Sequence, residues 1–527
     1  MAEQEVLVKP SQSSDQPKSP PGSRDWIGFG ILGSLVTLIL ILYMGLWRGI
    51  WFDELLHFAL GGMTFEYVIK TIDYTTMHVN HGQTGTYFLL DWILLQISGA
   101  SAIALRLPSL VSGFVLLVSS ALFLRAKGFS WRWQAVALVA LGANESLVFY
   151  IGEARPYMPL AASAVAMLTF YALPAADRRK WWGWCLGIFG FVFGATIHPY
   201  WAVMWGLVAC FSVAVTPGSG IWPFEWSRLL RFVAPVYVSV GLALYLTIGQ
   251  LTWMRRIINF GWPDSIYSWG SLWNALVQGH FSYAPFIYPN REGTGEVSAG
   301  ALVPVVAVVL AFITLSWLIV ASRTRSKRLI PPVVLGGVAL ASSIFFSYLS
   351  YRSQYIIFER QWVAGMALSS VAWTWLFAEW WRNTRVQAYW LRTPVYTFLS
   401  LVAVSFVIAV VSQTAITIDR YLAWQSVKND SRSMEELMAE AVDAESFKYD
   451  PSGPEDGYGY LASVNIARGG PTWEVFIAWY NKEAGLRQEY REQDDNWSDR
   501  IWPNPAPQSF LCLPERQWQC PTPSEVG

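Results

Sequence analysis

The chain has 527 residues, of which 54% are hydrophobic and only 14% charged, with 37 basic and 37 acidic residues. A chain this apolar lies outside the range of soluble domains and belongs in a bilayer, and its zero net charge excludes a general attraction to nucleic acid. The 30 tryptophans favour many helix ends at membrane–water boundaries, where indole rings are enriched.

The amino-terminal segment, residues 1–24, is polar and rich in Ser and Pro. We expect a disordered cytoplasmic tail, because such a segment cannot bury enough apolar surface to fold. The first apolar stretch, near 26–47, is long enough to span a membrane, and no small-residue cleavage site follows it. The sequence therefore predicts a retained first helix and not a signal peptide.

Further apolar stretches bounded by charge or Pro follow along the chain. At roughly 20 residues per crossing they predict about eleven transmembrane helices. The later spans lie near 103–124, 134–150, 157–174, 181–197, 200–216, 232–250, 299–321, 329–350, 361–380 and 394–415. The predicted fold class is an all-α polytopic membrane protein, with a transmembrane domain at 25–416 and a small C-terminal region at 417–527.

Basic residues cluster in four links between these spans. Alternate crossings place all four links on one side, and an excess of Lys and Arg marks that side as cytoplasmic. The odd helix count then places residues 417–527 outside, where a Cys512–Cys520 disulfide would be allowed, whereas Cys185 and Cys210 lie in apolar runs and are expected to fill the core. The basic residues of the links are Arg125, Lys127, Arg132, Arg178, Arg179, Lys180, Arg323, Arg325, Lys327, Arg328, Arg382, Arg385 and Arg392.

Two long loops lie on the opposite side, near 49–98 and 251–298. The first carries five acidic residues and the single base Lys70. Its apolar stretches, Leu55–Met63 and Tyr87–Ile97, are too short to span, and we expect them to form amphipathic helices at the membrane interface.

Two adjacent carboxylates, Asp53 and Glu54, stand at the outer end of the first span. Charged carboxylates at that depth are costly unless they are used, so they are candidates for a general base and a second acid that binds metal or acceptor. A solvated pair at the membrane boundary is the alternative.

The same loop carries His78 and His81, three residues apart and followed by two glycines. Such a pair can bind zinc, but no third ligand is evident, so lining of a polar pocket is the preferred interpretation.

Two later outer turns carry Glu153, Arg155 and Tyr157, and then His198. We expect acid, base and imidazole to converge there, although capping of helix ends is an alternative for each.

Four more cations are assigned to the outside, and their guanidinium groups suit phosphate, with snorkelling to lipid headgroups as the alternative. They are Arg255, Arg256, Arg352 and Arg360.

The order of these motifs resembles the GT-C glycosyltransferases, particularly the protein mannosyltransferase-like and aminoarabinose-transferase-like members. The resemblance covers about residues 26–216, and the remainder by topology only. In that superfamily the first-loop acid is the catalytic base, a position matched here by Asp53. The family loop usually has His followed by prolines and Tyr, whereas in this chain His81 is followed by the residues Gly-Gln-Thr-Gly. The motifs are Trp51–Glu54, His81 with Thr86–Leu90, Arg106–Ser109, Glu153–Tyr157 and His198–Trp201.

The resemblance implies an inverting transfer of a hexosyl or pentosyl group from a polyprenyl-phosphate donor to a lipid, glycan or protein acceptor. A divalent cation (Mg²⁺ or Mn²⁺) at Asp53 and Glu54 is compatible with it. We expect a multi-pass protein of a bacterial inner or plasma membrane, with its site on the extracytoplasmic face. The alternatives are a transporter or flippase of lipid-linked saccharide, and a non-catalytic envelope assembly protein whose tail is the working part.

Overall fold

The structure is a computed structural model and describes residues 23–44, 86–98, 102–144, 150–198, 200–215, 327–352, 362–384 and 389–428, with the single residues 57, 65 and 147. Every regular element in these ranges is helical. In chain order the helices are α1 (Ser23–Tyr43), α2 (Thr86–Ser98), α3 (Ala102–Ala126), α4 (Trp131–Ala143), α5 (Tyr157–Ala172), α6 (Ala175–Arg178), α7 (Trp181–Ile197), α8 (Tyr200–Val215), α9 (Ile330–Arg352), α10 (Val363–Thr384) and α11 (Thr393–Lys428). Short 3₁₀ turns, Lys327–Leu329 and Tyr389–Arg392, precede α9 and α11.

Within this part of the chain, three helices are long and apolar enough to cross a membrane: Trp26–Tyr43 in α1, Ile103–Ala126 in α3 and Thr393–Ala415 in α11. Together with the composition, they make the chain an integral membrane protein, as predicted. The number of crossings stays a prediction, because the expected spans near 232–250 and 299–321 lie outside the described residues.

Hydrogen bonds between helices fix the directions in which the helices run. Ser109 Oγ donates to Arg155 O at 3.1 Å near the start of α5, and Thr169 Oγ1 donates to Ser119 O at 2.9 Å further along, so α3 and α5 are parallel. The Tyr43 hydroxyl donates to Gly142 O at 2.8 Å near the ends of α1 and α4, and Gly28 packs against Trp131 near their starts, so α1 and α4 are parallel too. The described helices therefore share two common ends.

One end of the bundle collects the basic links and is called the basic end; it comprises residues 126–130, 173–180, 327–329, 384 and 389–392. Arg382 Nη2 donates to Gly128 O at 3.2 Å, and its guanidinium lies 4.2 Å from the ring of Phe129. Lys127 Nζ lies 5.0 Å from the ring of Trp375. Burial lowers the pKa of the Lys127 amine, while Glu379 acts in the opposite direction.

The other end, called the outer end, comprises residues 43–44, 144, 147, 150–156, 198, 200 and 346–352. α5 runs between the two ends and is buried on almost every side. A helix that is apolar all round is stable only in such surroundings. Its first residue follows the turn 152–156, so the most enclosed helix of the described core holds that turn in place.

Two sequence-based expectations change. The predicted span 134–150 is interrupted at Asn144, whose Oδ1 accepts the Leu147 N–H at 3.1 Å, because a short amide side chain competes with the helix for backbone donors. The predicted span 394–415 matches the apolar segment Thr393–Ala415, and α11 continues beyond it to Lys428. Cys185 and Cys210 are exposed, so the expectation that they fill the core is wrong: each lies on the outward side of its helix.

Candidate active site

The turn at residues 152–156 carries two buried charged side chains. Glu153 is fully buried and Arg155 is 2% exposed. The Arg155 N–H donates to Glu153 O at 2.9 Å, which closes the turn, and Leu160 N–H donates to Pro156 O to open α5. Burying an ion costs several kcal/mol, on the order of the stability of a whole domain, unless partners compensate it. A carboxylate and a guanidinium two residues apart are therefore a strong departure from ordinary helix capping.

A hydroxyl pair ties this turn to the first external loop. Ser109 Oγ donates to Arg155 O and lies 2.7 Å from the Tyr87 hydroxyl. Tyr87 belongs to α2 and is fully buried. Two hydrogen bonds through one serine therefore join α2, α3 and the Arg155 turn into a single unit.

Aromatic contacts extend the unit to the next outer turn. The Arg155 guanidinium lies 5.7 Å from the ring of Tyr157, which is 5.8 Å from the imidazole of His198. Tyr200 stacks on Phe346 of α9 at 4.1 Å. Two separate segments of chain thus bring a cation, a phenol and an imidazole together at the outer end.

The imidazole of His198 is held in a defined tautomer. Its Nδ1 accepts the Tyr200 N–H at 3.2 Å. A ring nitrogen that accepts a hydrogen bond carries the lone pair, so the neutral ring has its proton on Nε2. His198 is therefore set up as a hydrogen-bond donor, which suits a phosphate oxygen.

A π-helical segment in α7 fixes the place of this turn. Residues Ile188–Phe193 have the wider π geometry, and the Trp201 Nε1–H donates to Gly190 O at 2.7 Å. Short π segments release backbone carbonyls and recur at functional sites. Trp201 is almost fully buried, and its backbone N–H donates to His198 O at 3.0 Å, so the π segment, Trp201 and His198 form one rigid connection.

A second imidazole lies in the same region. His57 Nδ1 is 2.6 Å from Asp91 Oδ2, and both side chains are fully buried. The His57 ring stacks on Phe88 at 4.2 Å and meets the edge of Tyr87 at 5.1 Å. The His57 imidazole and the Asp91 carboxylate thus form one close hydrogen-bonded pair.

Arg106 is the remaining buried cation of the outer end. It is fully buried in α3, three residues before Ser109, and so lies on the same face of that helix. Among the described residues of this region, the buried charged side chains are Asp91 and Glu153 together with Arg106 and Arg155, two acids and two bases.

The predicted site residues divide into two groups. Glu153, Arg155, Tyr157 and His198 are described and lie together at the outer end. Arg352 is the last residue of α9, at that same end. The others lie outside the described residues: Asp53, Glu54, His81, Arg255, Arg256 and Arg360. Their roles stay predictions.

Sequence reasoning did not assign a role to His57 or Asp91. Two signals could have found them: Asp91 is a single carboxylate in the middle of an apolar helix, and His57 is one of only five histidines in the chain. An ionisable group in an apolar segment needs a partner. Tyr87, Arg106 and Ser109 did belong to the motifs of the resemblance, although no role was derived for them.

The described residues contain no group of three or more His, Cys, Asp or Glu side chains that could hold a metal ion. The carboxylates predicted for a divalent cation, Asp53 and Glu54, are not among them. The cation stays a prediction.

No protein-family model matches the sequence, and no curated protein matches it. Among solved structures, the chain is similar to the archaeal oligosaccharyltransferase AglB from Archaeoglobus fulgidus, in complex with an inhibitory peptide and a dolichol-phosphate. The TM-score is 0.45 at 11% identity, covering 91% of this chain and 68% of that one. It is also similar to ArnT from Cupriavidus metallidurans bound to undecaprenyl phosphate, with a TM-score of 0.43 at 12% identity over 85% of this chain and 86% of that one.

A second Archaeoglobus fulgidus oligosaccharyltransferase structure, tethered to an acceptor peptide, gives a TM-score of 0.38 at 12% identity, covering 84% of this chain and 64% of that one. These neighbours agree with the kind of protein that the motifs resemble.

Proposed function

We propose that the chain is a membrane glycosyltransferase that moves a sugar from a polyprenyl-phosphate donor to a lipid, glycan or protein acceptor at the outer face of the membrane. The observation that carries the proposal is the meeting of Arg155, Tyr157 and His198 beside the buried Glu153, at the end of the bundle opposite the basic links. The order of motifs in the sequence supports the same reaction class.

The donor phosphate is assigned to the cationic side of this cluster. A guanidinium can bind two phosphate oxygens at once, and the Nε2–H of His198 can donate to a third. Both groups stabilise the charge that develops on the phosphate as it leaves, and they do so without reorganising, because their neighbours already fix them. Arg255, Arg256, Arg352 and Arg360 are proposed to add further positive charge.

The acceptor is assigned to the carboxylates of the first loop. Asp53 takes the proton of the acceptor hydroxyl, the oxygen attacks the anomeric carbon, and the bond from that carbon to the phosphate oxygen breaks. The polyprenyl phosphate keeps the bonding electrons. One displacement inverts the anomeric centre. Glu54 is assigned as the second acid, a divalent cation would be held by this pair, and His81 would line the pocket.

The transporter alternative predicts ionisable groups near the middle of the bilayer. The long described helices carry none there: Arg106 lies near the outer start of α3 and Glu379 near the basic end of α10, and the middle turns of α5, α7, α8 and α9 are free of Asp, Glu, Lys and Arg. This distribution favours a site at one face over a path through the membrane.

The test is a transfer assay with protein reconstituted in nanodiscs. Undecaprenyl phosphates carrying radiolabelled mannose, glucose or arabinose serve as donors, a membrane extract of the source cells as acceptor, and each reaction is run with EDTA or with added Mg²⁺ or Mn²⁺. Asp53→Asn keeps the shape of the side chain but removes the base, so we expect the rate to fall about a hundred to ten thousand-fold.

Binding of undecaprenyl phosphate should survive that change, because the arginines and the lipid tail carry it. If Asp53→Asn is as active as the wild type while Glu54→Gln or Glu153→Gln is inactive, the base is another carboxylate. Full activity in all three variants, or no transfer by the wild type from any donor, would refute the proposal.

A further inference from the structure

The pair formed by His57 and Asp91 has no role in the reaction as proposed so far, although it is among the most enclosed polar contacts of the described residues. Its Nδ1–Oδ2 distance of 2.6 Å is short, and neither side chain is exposed. An imidazole and a carboxylate at this distance form a charge-assisted hydrogen bond that is both strong and directional. Such a contact fixes the position of each partner.

The rings around His57 restrict it further. Phe88 stacks on the imidazole with an angle of 22° between the planes, and Tyr87 meets it edge-on at 87°. Phe88 and Tyr87 lie about one turn before Asp91 on the same face of α2, whose buried residues are Tyr87, Phe88, Asp91 and Leu95. The His57 ring is therefore held against α2 by contacts with Tyr87, Phe88 and Asp91.

The helix that holds His57 is itself joined to the phosphate side of the site. Tyr87 shares a hydrogen bond with Ser109, which donates to the backbone oxygen of Arg155. The position of His57 is thus defined relative to Arg155 through side-chain and backbone contacts, each at 3.1 Å or less.

Asp53 precedes His57 by four residues in the sequence. Four residues of chain span at most about 14 Å even when fully extended. Whatever the path of the intervening residues, a fixed His57 limits where the Asp53 carboxylate can lie with respect to Arg155.

We propose that Asp91 and His57 are positioning residues, which anchor the first external loop to α2 and so hold Asp53 at a working distance from the donor phosphate bound at Arg155. The inference rests on the proposed function for its kinetic consequence but not for the anchoring itself. The two consequences are measured separately.

The kinetic arm uses the nanodisc transfer assay on Asp91→Asn, His57→Gln and the double variant. A misplaced base slows the chemical step but leaves donor binding alone, so we expect kcat to fall about 10- to 100-fold with the donor KM within about twofold of wild type. Because the two residues act as one unit, the double variant should be no slower than the slower single variant, and Asp91→Glu should recover part of the activity.

The second arm does not need activity. In a background with Ser at the four native cysteines, Asp53→Cys is labelled with a maleimide, and its labelling rate reports the surroundings of residue 53. We expect Asp91→Asn and His57→Gln each to change this rate at least about fivefold. Asp177→Asn is the matched control, since it removes a carboxylate from an ion pair of 2.7 Å with Lys180 at the basic end. It should change neither the labelling rate of Asp53→Cys nor kcat.

Unchanged labelling in both variants would overturn the inference, as would single effects on kcat that multiply in the double variant. If no donor supports transfer by the wild type, the proposed function fails, and the labelling arm still decides whether the pair anchors residue 53. A changed labelling rate of Asp53→Cys together with a normal elution profile in size-exclusion chromatography indicates a released loop and not an unfolded protein.

Discussion

Arg155 illustrates how one residue can serve both the fold and the proposed chemistry. Its backbone oxygen accepts from Ser109, its backbone N–H closes the turn with Glu153, and its guanidinium is directed over Tyr157. The backbone contacts position the residue, so the charged group does not have to be held by its own hydrogen bonds alone. This arrangement keeps a buried cation near the outer end, beside the buried Glu153.

Changing Arg155 should therefore affect the reaction more than the fold. Arg155→Lys keeps the charge but loses the planar fork, and we expect kcat/KM for the donor to fall about tenfold; Arg155→Met loses the charge as well, and we expect a fall of at least about a hundredfold. When undecaprenyl phosphate binding is titrated by native mass spectrometry, the affinity should fall from the wild type to Arg155→Lys and further to Arg155→Met.

The control is Arg178→Met at the basic end. Its guanidinium lies 5.8 Å from the ring of Phe170, nearly the same contact that Arg155 makes with Tyr157. Transfer within about twofold of the wild type is expected. An equal loss in both variants would mean that the arginine–aromatic contact is important only for stability.

At the scale of elements, the π segment of α7 explains how a helix of the core sets the place of a polar turn. Widening of the helix at Ile188–Phe193 leaves the Gly190 carbonyl available to the Trp201 indole. Gly194 permits the close approach, because a Cβ at that position would lie 2.6 Å from Trp201 Cδ1 and 2.7 Å from Ser163 Cβ. α5, α7 and α8 thus meet at a point where only hydrogen fits.

Gly194→Ala should force these helices apart. Overpacking of a tight interior typically costs about 1–3 kcal/mol, and we expect a loss of that size in thermal unfolding, together with slower transfer as the His198 turn moves. Gly206→Ala in α8 is the control, since no atom lies within 4 Å of the added Cβ. If both variants unfold alike, the close contact at Gly194 has no energetic weight.

For the whole molecule, the main feature is that the basic links and the candidate site lie at opposite ends of the helix bundle. Parallel and antiparallel packing brings the described basic links to one end and Glu153, Arg155 and His198 to the other. Basic links are retained on the cytoplasmic side of a membrane, so the outer end is expected to face the extracytoplasmic space. A lipid-linked donor presented there could reach the cluster without crossing the bilayer.

Cysteine labelling in intact cells tests this orientation. In a background without native cysteines, we expect a membrane-impermeant maleimide to label Met44→Cys before permeabilisation and Arg132→Cys only afterwards. With the native tail restored, Cys512 and Cys520 should also be labelled from outside once reduced. Labelling of Arg132→Cys before permeabilisation would mean that the orientation is the reverse of the expected one. A protected tail together with a labelled Met44→Cys would mean that the predicted number of crossings is wrong by an odd number.

The sequence by itself determined the class of the molecule and predicted the sides of its turns. Apolar stretches of membrane length do not depend on tertiary contacts, because the bilayer requires each crossing to satisfy its own backbone hydrogen bonds. The positions of α1, α3, α5, α7 and α8 follow those stretches closely. The grouping of Glu153, Arg155 and His198 at one end could likewise be predicted, since alternating crossings fix which turns share a side.

Only the tertiary structure decided which polar residues meet. The His57–Asp91 pair joins positions 34 residues apart, and Ser109 contacts Arg155 across 46 residues, distances along the chain at which no local pattern indicates a partner. The π segment could not be predicted from the sequence either, because its register depends on the indole of Trp201 and on the space at Gly194. Hydropathy records how strongly a segment avoids water, whereas the pairing of buried polar groups depends on the directions of side chains after the helices have packed.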